Sequence, residues 1–122
     1  MKYLLQYWSV PSDHPAPDSP EGAAEFAAWM EFERTVREAG VHIAGEALAP
    51  VGTATTVTRR SGSTQLTDGP FAETKEVLGG FHLLDVADLD AALAWAERSP
   101  GSTYGLVEVR PAMVFDNAPA GA

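Results

Sequence analysis

The chain contains no cysteine among its 122 residues. That excludes disulfides, thiolate nucleophiles and zinc sites built on sulfur, and it leaves stability to packing. Basic residues are also scarce: eight Lys and Arg stand against seventeen Asp and Glu, a formal charge of −9. Affinity for a phosphate backbone comes from cationic side chains that displace counterions, so neither nucleic acid nor an anionic membrane is an expected partner. No apolar run reaches the roughly 18 residues of a spanning helix. The apolar start through Trp8 is broken by Pro11, Ser12, Asp13 and His14, too early for a secretory core. The protein therefore reads as soluble and cytoplasmic. Metal-ligand spacings are missing as well: the three histidines form neither HxH nor HExxH, so no metal and no cofactor is expected. Gly79-Gly80 lacks the spacing and the following Lys-Ser/Thr of a phosphate loop. No nucleophile-elbow motif occurs, which leaves Ser-His-Asp catalysis neither supported nor excluded.

What is present suits one domain with a real core: 45% hydrophobic residues, including three Trp, three Tyr and five Phe. Lys2 to Val10 reads as a strand, with Tyr3, Leu5 and Tyr7 on one face and Leu4, Gln6 and Trp8 on the other. The four prolines between Pro11 and Pro20 make a loop. Ser19-Pro20-Glu21 is a helix start, with a capping serine, a proline of preset φ and an acid that suits the dipole. The helix should run to Ala39 before Gly40. Its apolar stripe is Phe26, Trp29, Met30, Phe32 and Val36, and its polar side carries Glu25, Glu31, Glu33, Arg34, Arg37 and Glu38.

Val41 to Leu48 is a second strand, alternation placing Val41 and Ile43 on one face and His42, Ala44 and Glu46 on the other. Thr53 to Arg59 and Thr64 to Thr67 form a hairpin about Arg60-Ser61-Gly62-Ser63. Val77 to Val86 reads as a central strand, with His82 and Leu84 on one face and Phe81 and Leu83 on the other. Asp88 caps a second helix with the stripe Leu89, Ala92, Leu93 and Ala96, ended by Ser99-Pro100-Gly101. Tyr104 to Arg110 is the last strand, closed by Pro111, and the Ala/Gly/Pro tail from Asn117 is expected to fray. With the hairpin set aside the order is β-α-β-β-α-β, a ferredoxin-like α+β fold whose antiparallel sheet carries both helices on one face. Tyr3 or Leu4, Leu84 and Leu106 would then lie on an open apolar face, which a two-fold homodimer would cover.

One stretch is unusually dense in specified residues: Thr67-Asp68-Gly69-Pro70-Phe71-Ala72-Glu73-Thr74-Lys75-Glu76, followed by Leu78-Gly79-Gly80-Phe81. Together with Asp88 to Ala96 and Tyr104 to Pro111, it resembles the DGPF-domain proteins of the YCII-related family nearly end to end. The resemblance implies a single domain over residues 1–116, a dimeric α+β barrel with ferredoxin-like subunits, and similarity to small lyases and isomerases. Some family members carry a His-Asp pair with the histidine near the start of the first helix. Here Glu21 to Ala39 contains no histidine and the nearest, His14, lies in the proline-rich loop, so the pair is not carried over. DGPF proteins also tend to be encoded beside extracytoplasmic-function sigma factors, which implies a regulatory role for some.

The candidate site residues follow from residue chemistry. Asp68-Gly69-Pro70-Phe71 reads structurally as an Asx-type turn with a core plug, or functionally as a carboxylate lining a pocket. Glu73, Lys75 and Glu76 read as a solvated loop, with Lys75 as an anion anchor in the sharper reading. His82, on a central strand, is either a packed histidine or the general acid-base group. Glu108 and Arg110 share a face about 7 Å apart, as a structural ion pair or as a carboxylate-binding site. The leading expectation is a cofactor-independent pocket protein, a lyase or isomerase of a small organic substrate. In it His82 and Asp68 are catalytic, and Arg110, Glu108 and Lys75 bind substrate. The alternative is a non-catalytic regulatory or interaction module, for example with a sigma factor, or a ligand sensor.

Overall fold

A computed structural model describes residues 1–115; the expected fraying from Asn117 lies outside the described residues. Tyr3, Leu5 and Tyr7 alternate inward along β1 (Lys2–Ser9) and are at most 7% exposed. They meet Phe32 and Val36 of α1 (Pro20–Glu38), Ala92 and Ala96 of α2 (Leu89–Arg98), and Leu84 of β5 (Val77–Asp85) in one core. Leu5, Val36 and Leu84 are fully covered, each worth about 1.5–3 kcal/mol relative to exposure. Leu84, with Tyr3, thus belongs to the helix side and not to the open face. That face is formed by the alternate set, among them Leu4, Leu83 and Leu106.

The main sheet has the order β2-β5-β1-β6, every pairing antiparallel, with β2 at His42–Ala47 and β6 at Leu106–Pro111. This is the ferredoxin-like arrangement, with β3 (Thr55–Thr58) and β4 (Gln65–Asp68) inserted as a separate hairpin. The helix starts are locally encoded. Gly22 N–H donates to Ser19 Oγ at 3.0 Å, and Ala91 N–H donates to the Asp88 carboxylate at 2.9 Å.

Three local expectations change. Tyr104 does not open the last strand: Pro100 sits at αR angles and the chain makes a further helical turn, α3 (Gly101–Tyr104), before β6. Strand β2 does not alternate strictly, because a bulge lies between His42 and Ala44. His42 opposes Leu84 and Gly45 opposes His82, both on the helix side, while Glu46 opposes Phe81 on the other. His42 and Glu46 therefore do not share a face, and Ile43, the extra residue, is 42% exposed. On α1, Phe26 and Met30 face outward, 67% and 50% exposed, whereas Glu25 and Glu33 turn inward.

Candidate functional site

Glu25, Trp29, Glu33 and Arg37 are four residues apart, one row along α1. This row, and not the apolar residues at positions 26 and 30, leans over the sheet. The Glu25 and Glu33 side chains are only 14% and 26% exposed. Carboxylates are held so far inside only when paired, and each meets a histidine.

At the amino end of the row, the Glu25 carboxylate lies 2.7 Å from His14 Nδ1, and His14 Nε2 lies 2.6 Å from Ser9 Oγ. The carboxylate can only accept, so Nδ1 carries the proton and Nε2 accepts from the serine hydroxyl. The imidazole stacks on Tyr104, 5.4 Å between centroids at 22°; the helical turn that removes Tyr104 from β6 is what brings it there. The loop bearing His14 is pinned to the helix. Ser19 Oγ–H donates to Ala16 O at 2.6 Å, and a Cβ on Gly22 would stand 2.1 Å from that same carbonyl oxygen. Only glycine permits this backbone-on-backbone approach. The result is an open pocket of about 280 Å³ lined by His14, Pro15, Pro17, Gly22, Glu25, Phe26 and Trp29. Its walls are mainly apolar, and the imidazole at its edge has a fixed tautomer with the lone pair on Nε2, the arrangement of a general base.

Further along the row a second cluster is more deeply set. His82 is 6% exposed. Its Nε2 is 2.6 Å from Glu33 Oε2 and its Nδ1 is 2.7 Å from the Tyr7 hydroxyl. Both ring nitrogens are satisfied in the neutral ring when Nε2–H donates to the carboxylate and the phenol donates to Nδ1. Burial, and secondarily the Glu33 charge, push the Tyr7 phenol well above its ordinary value, so it stays protonated. Burial works to raise Glu33, but hydrogen bonds from His82 and Arg37, with the positive charge that the His82 and His42 rings carry when protonated, outweigh it. The carboxyl is held below the ordinary glutamate value. Arg37 Nε donates to Glu33 Oε1 at 2.9 Å, and His42 Nε2 lies 3.2 Å from the same oxygen without hydrogen-bond geometry. Gly45, brought opposite His82 by the bulge, leaves room for the ring: a Cβ there would stand 2.5 Å from His82 Cδ2.

The residues expected from sequence to form one site are spread over the molecule. Asp68 is exposed at the end of β4, opposite Thr55 in the hairpin. Lys75 is exposed in the loop before β5, beside a hollow of about 330 Å³ lined by residues such as Pro70, Ala72 and Glu73. Phe71 is 89% exposed and so does not plug the core of the chain. Glu108 and Arg110 pair with each other at 3.1 Å, opposite Gln6 and Leu4, and so lie on the sheet face away from His82. No hydrogen bond or ion pair among the described residues joins Asp68, Lys75, Glu108 or Arg110 to His82. The reading of the sequence missed Ser9, His14, Glu25, Glu33, Tyr7 and His42. The four-residue spacing of Glu25, Trp29, Glu33 and Arg37 was the available signal. It was outweighed by the apolar residues at 26 and 30, which pulled the inferred stripe aside.

A protein of Rhizobium meliloti described only as uncharacterized is 44% identical over 70 residues, a match spanning 56% of this chain and 56% of that protein. The match thus covers a little over half of the relative's length. Among solved structures, 5-chloro-2-hydroxyhydroquinone dehydrochlorinase from Burkholderia phenoliruptrix, in complex with 2,5-dihydroxybenzoquinone, superposes with a TM-score of 0.57. It is 13% identical, covering 93% of this chain and 94% of that one. The likeness is one of fold, and it agrees with the ferredoxin-like topology. The YCII-related domain matches residues 1–116, nearly the whole chain, and the chain belongs to the YCII-related family.

Proposed function

We propose that the protein is a small-molecule enzyme of lyase or isomerase type, using His14 Nε2 as a general base in the pocket between the proline-rich loop and α1. One observation carries the reading: the hydrogen-bonded series Glu25, His14, Ser9 at the edge of an apolar pocket. The carboxylate orients the ring and stabilises the imidazolium that forms when Nε2 takes a proton. A substrate hydroxyl or acidic C–H replaces the Ser9 hydroxyl at Nε2. The walls of Phe26, Trp29 and the prolines suit a compact, flat ring, as does the volume. The family and the dehydrochlorinase neighbour support a lyase-like class without fixing the substrate. Within the family, the run Asp68-Gly69-Pro70-Phe71 supports assignment to the DGPF branch. The half-buried Leu4 and Leu83, with exposed Leu106, support a homodimer through the open sheet face.

The test is a screen of hydroxylated and halogenated aromatic rings for turnover, followed by three variants. His14→Ala is expected to lose on the order of 100- to 10,000-fold, the usual worth of general base catalysis. Glu25→Gln should lose a large part of that, and Ser9→Ala should keep most of the rate. Loss of all activity in Ser9→Ala, with an acyl-enzyme trapped on that residue in the parent, would instead make Ser9 a nucleophile. Turnover that survives His14→Ala would refute the assignment.

A further inference from the structure

Three side chains from separate elements, Glu33 of α1, His42 of β2 and His82 of β5, bring one ligand atom each to within 4.8 Å of one another. We propose that they form a binding site for a divalent late-transition ion of the Zn²⁺ type, held by two imidazole nitrogens and one carboxylate. This site is separate from the His14 pocket and does not depend on the role proposed there.

His42 Nε2 is buried, its side chain 12% exposed, and has no hydrogen-bond partner among the described residues although Glu33 Oε1 lies 3.2 Å away. A buried ring nitrogen left without a partner costs about 1–3 kcal/mol, and a β-bulge is a specific device for turning His42 to this side. A cation between His42 Nε2, His82 Nε2 and Glu33 satisfies it. Bonds of about 2.0–2.2 Å in tetrahedral geometry put ligand atoms roughly 3.3 Å apart. The present spacings bracket that value: 2.6 Å from His82 Nε2 to Glu33 Oε2 and at most 4.8 Å overall. Rotation of the carboxylate and a shift of about an ångström close the set.

The second shell fits as well. When Nε2 of His82 binds the ion, its proton moves to Nδ1 through solvent, and Nδ1–H donates to the Tyr7 oxygen 2.7 Å away. The number of protons on the ring is unchanged by this exchange, and the protonated phenol serves as acceptor where it had been donor. Such outer-shell partners fix the ring and raise affinity. Arg37 is the group that opposes the ion. Its side chain is 61% exposed and can release Glu33 into solvent without burying a charge. Two imidazoles favour zinc, cobalt or nickel over magnesium or calcium, and three protein ligands leave a coordination position for water.

The experiment uses the intact, untagged chain: equilibrium dialysis against Zn²⁺, the visible spectrum on adding Co²⁺, and ¹⁵N NMR of the histidine rings. One ion per chain is expected, with Co²⁺ bands of four- or five-coordinate geometry and Zn²⁺-dependent shifts of the His42 and His82 Nε2 signals. His42→Ala and Glu33→Gln should each weaken Zn²⁺ binding by more than about 100-fold, beyond the loss from an outer-shell group. His14→Ala should leave it unchanged. If His42→Ala fails to fold, the ring shifts in the parent protein decide. The proposal is overturned by no stoichiometric ion, by binding without movement of the His42 signal, or by binding that His14→Ala abolishes.

Discussion

Replacing Gly22 by alanine sets two effects of opposite sign against each other. In most helices glycine to alanine gains up to about 1 kcal/mol, and Gly22 lies in the first turn of α1, where the gain is smaller. Against it stands the close approach of the proline-rich loop. The added methyl would be 2.1 Å from Ala16 O, 2.9 Å from Ala16 C and 3.0 Å from Pro17 Cα, all backbone atoms. No side chain can rotate aside, so the loop must lift, breaking the bond from Ser19 Oγ to Ala16 O and moving His14, two residues before Ala16. Overpacking of this kind costs about 1–3 kcal/mol, so a net loss of about 1–2 kcal/mol is expected in urea unfolding. His14 should be released from Glu25 and Tyr104, with its ring signals moving toward those of a solvated histidine. A variant as stable as the parent, with His14 unmoved, would refute the reasoning that this contact holds the site together.

Other outcomes follow from the second cluster and the surface. The folded-state carboxyl of Glu33 is held below its unfolded value, so its contribution is present above the ordinary glutamate range and lost as pH falls through the lower folded value. Glu33→Gln should flatten that acid limb of a stability-versus-pH curve measured by urea midpoints; an unchanged limb would contradict it. Tyr7→Phe leaves His82 Nδ1 buried without its partner, at a cost of about 1–3 kcal/mol, read from the same midpoints. Arg110→Ala breaks only an exposed pair and should change stability by less than about 1 kcal/mol. By the His14 reading it should leave turnover intact, whereas a marked rise in KM would return Arg110 to the substrate site.

The parts of the fold legible in the sequence were those fixed locally. Ser19-Pro20 and Asp88 announced their helices because capping is chemistry within three residues, and alternation grouped Tyr3, Leu5 and Tyr7 on one face of β1 while leaving open which face is inner. That His82 shares a face of β5 with Leu84 was legible for the same reason, although Leu84 was expected on the open face and both are buried on the helix side. The candidate sites were less legible because each depends on contacts between segments far apart in the chain. A one-residue bulge reversed the face of His42, and no local pattern around Val41 to Leu48 announces it. Tyr104 fitted a strand by alternation, yet Pro100 began another helical turn and put the ring against His14. Glu25 and Glu33 looked like solvent-facing acids because their partners lie 11 and 49 residues away. The Asp68-Gly69-Pro70-Phe71 run, though dense in specified residues, lies at the end of the inserted hairpin and in the loop after it, apart from both clusters.

The most direct test of the account is to ask where a small ring binds. Titrating the protein with 2,5-dihydroxybenzoquinone and related hydroxylated aromatics, followed by NMR of backbone amides and histidine rings, separates the alternatives. The account predicts shifts centred on Ser9, His14, Glu25 and Trp29 for at least one such ring, weakened in His14→Ala. Shifts centred instead on the Pro70 to Val77 segment, or no shift at His14 from any of these rings, would contradict it.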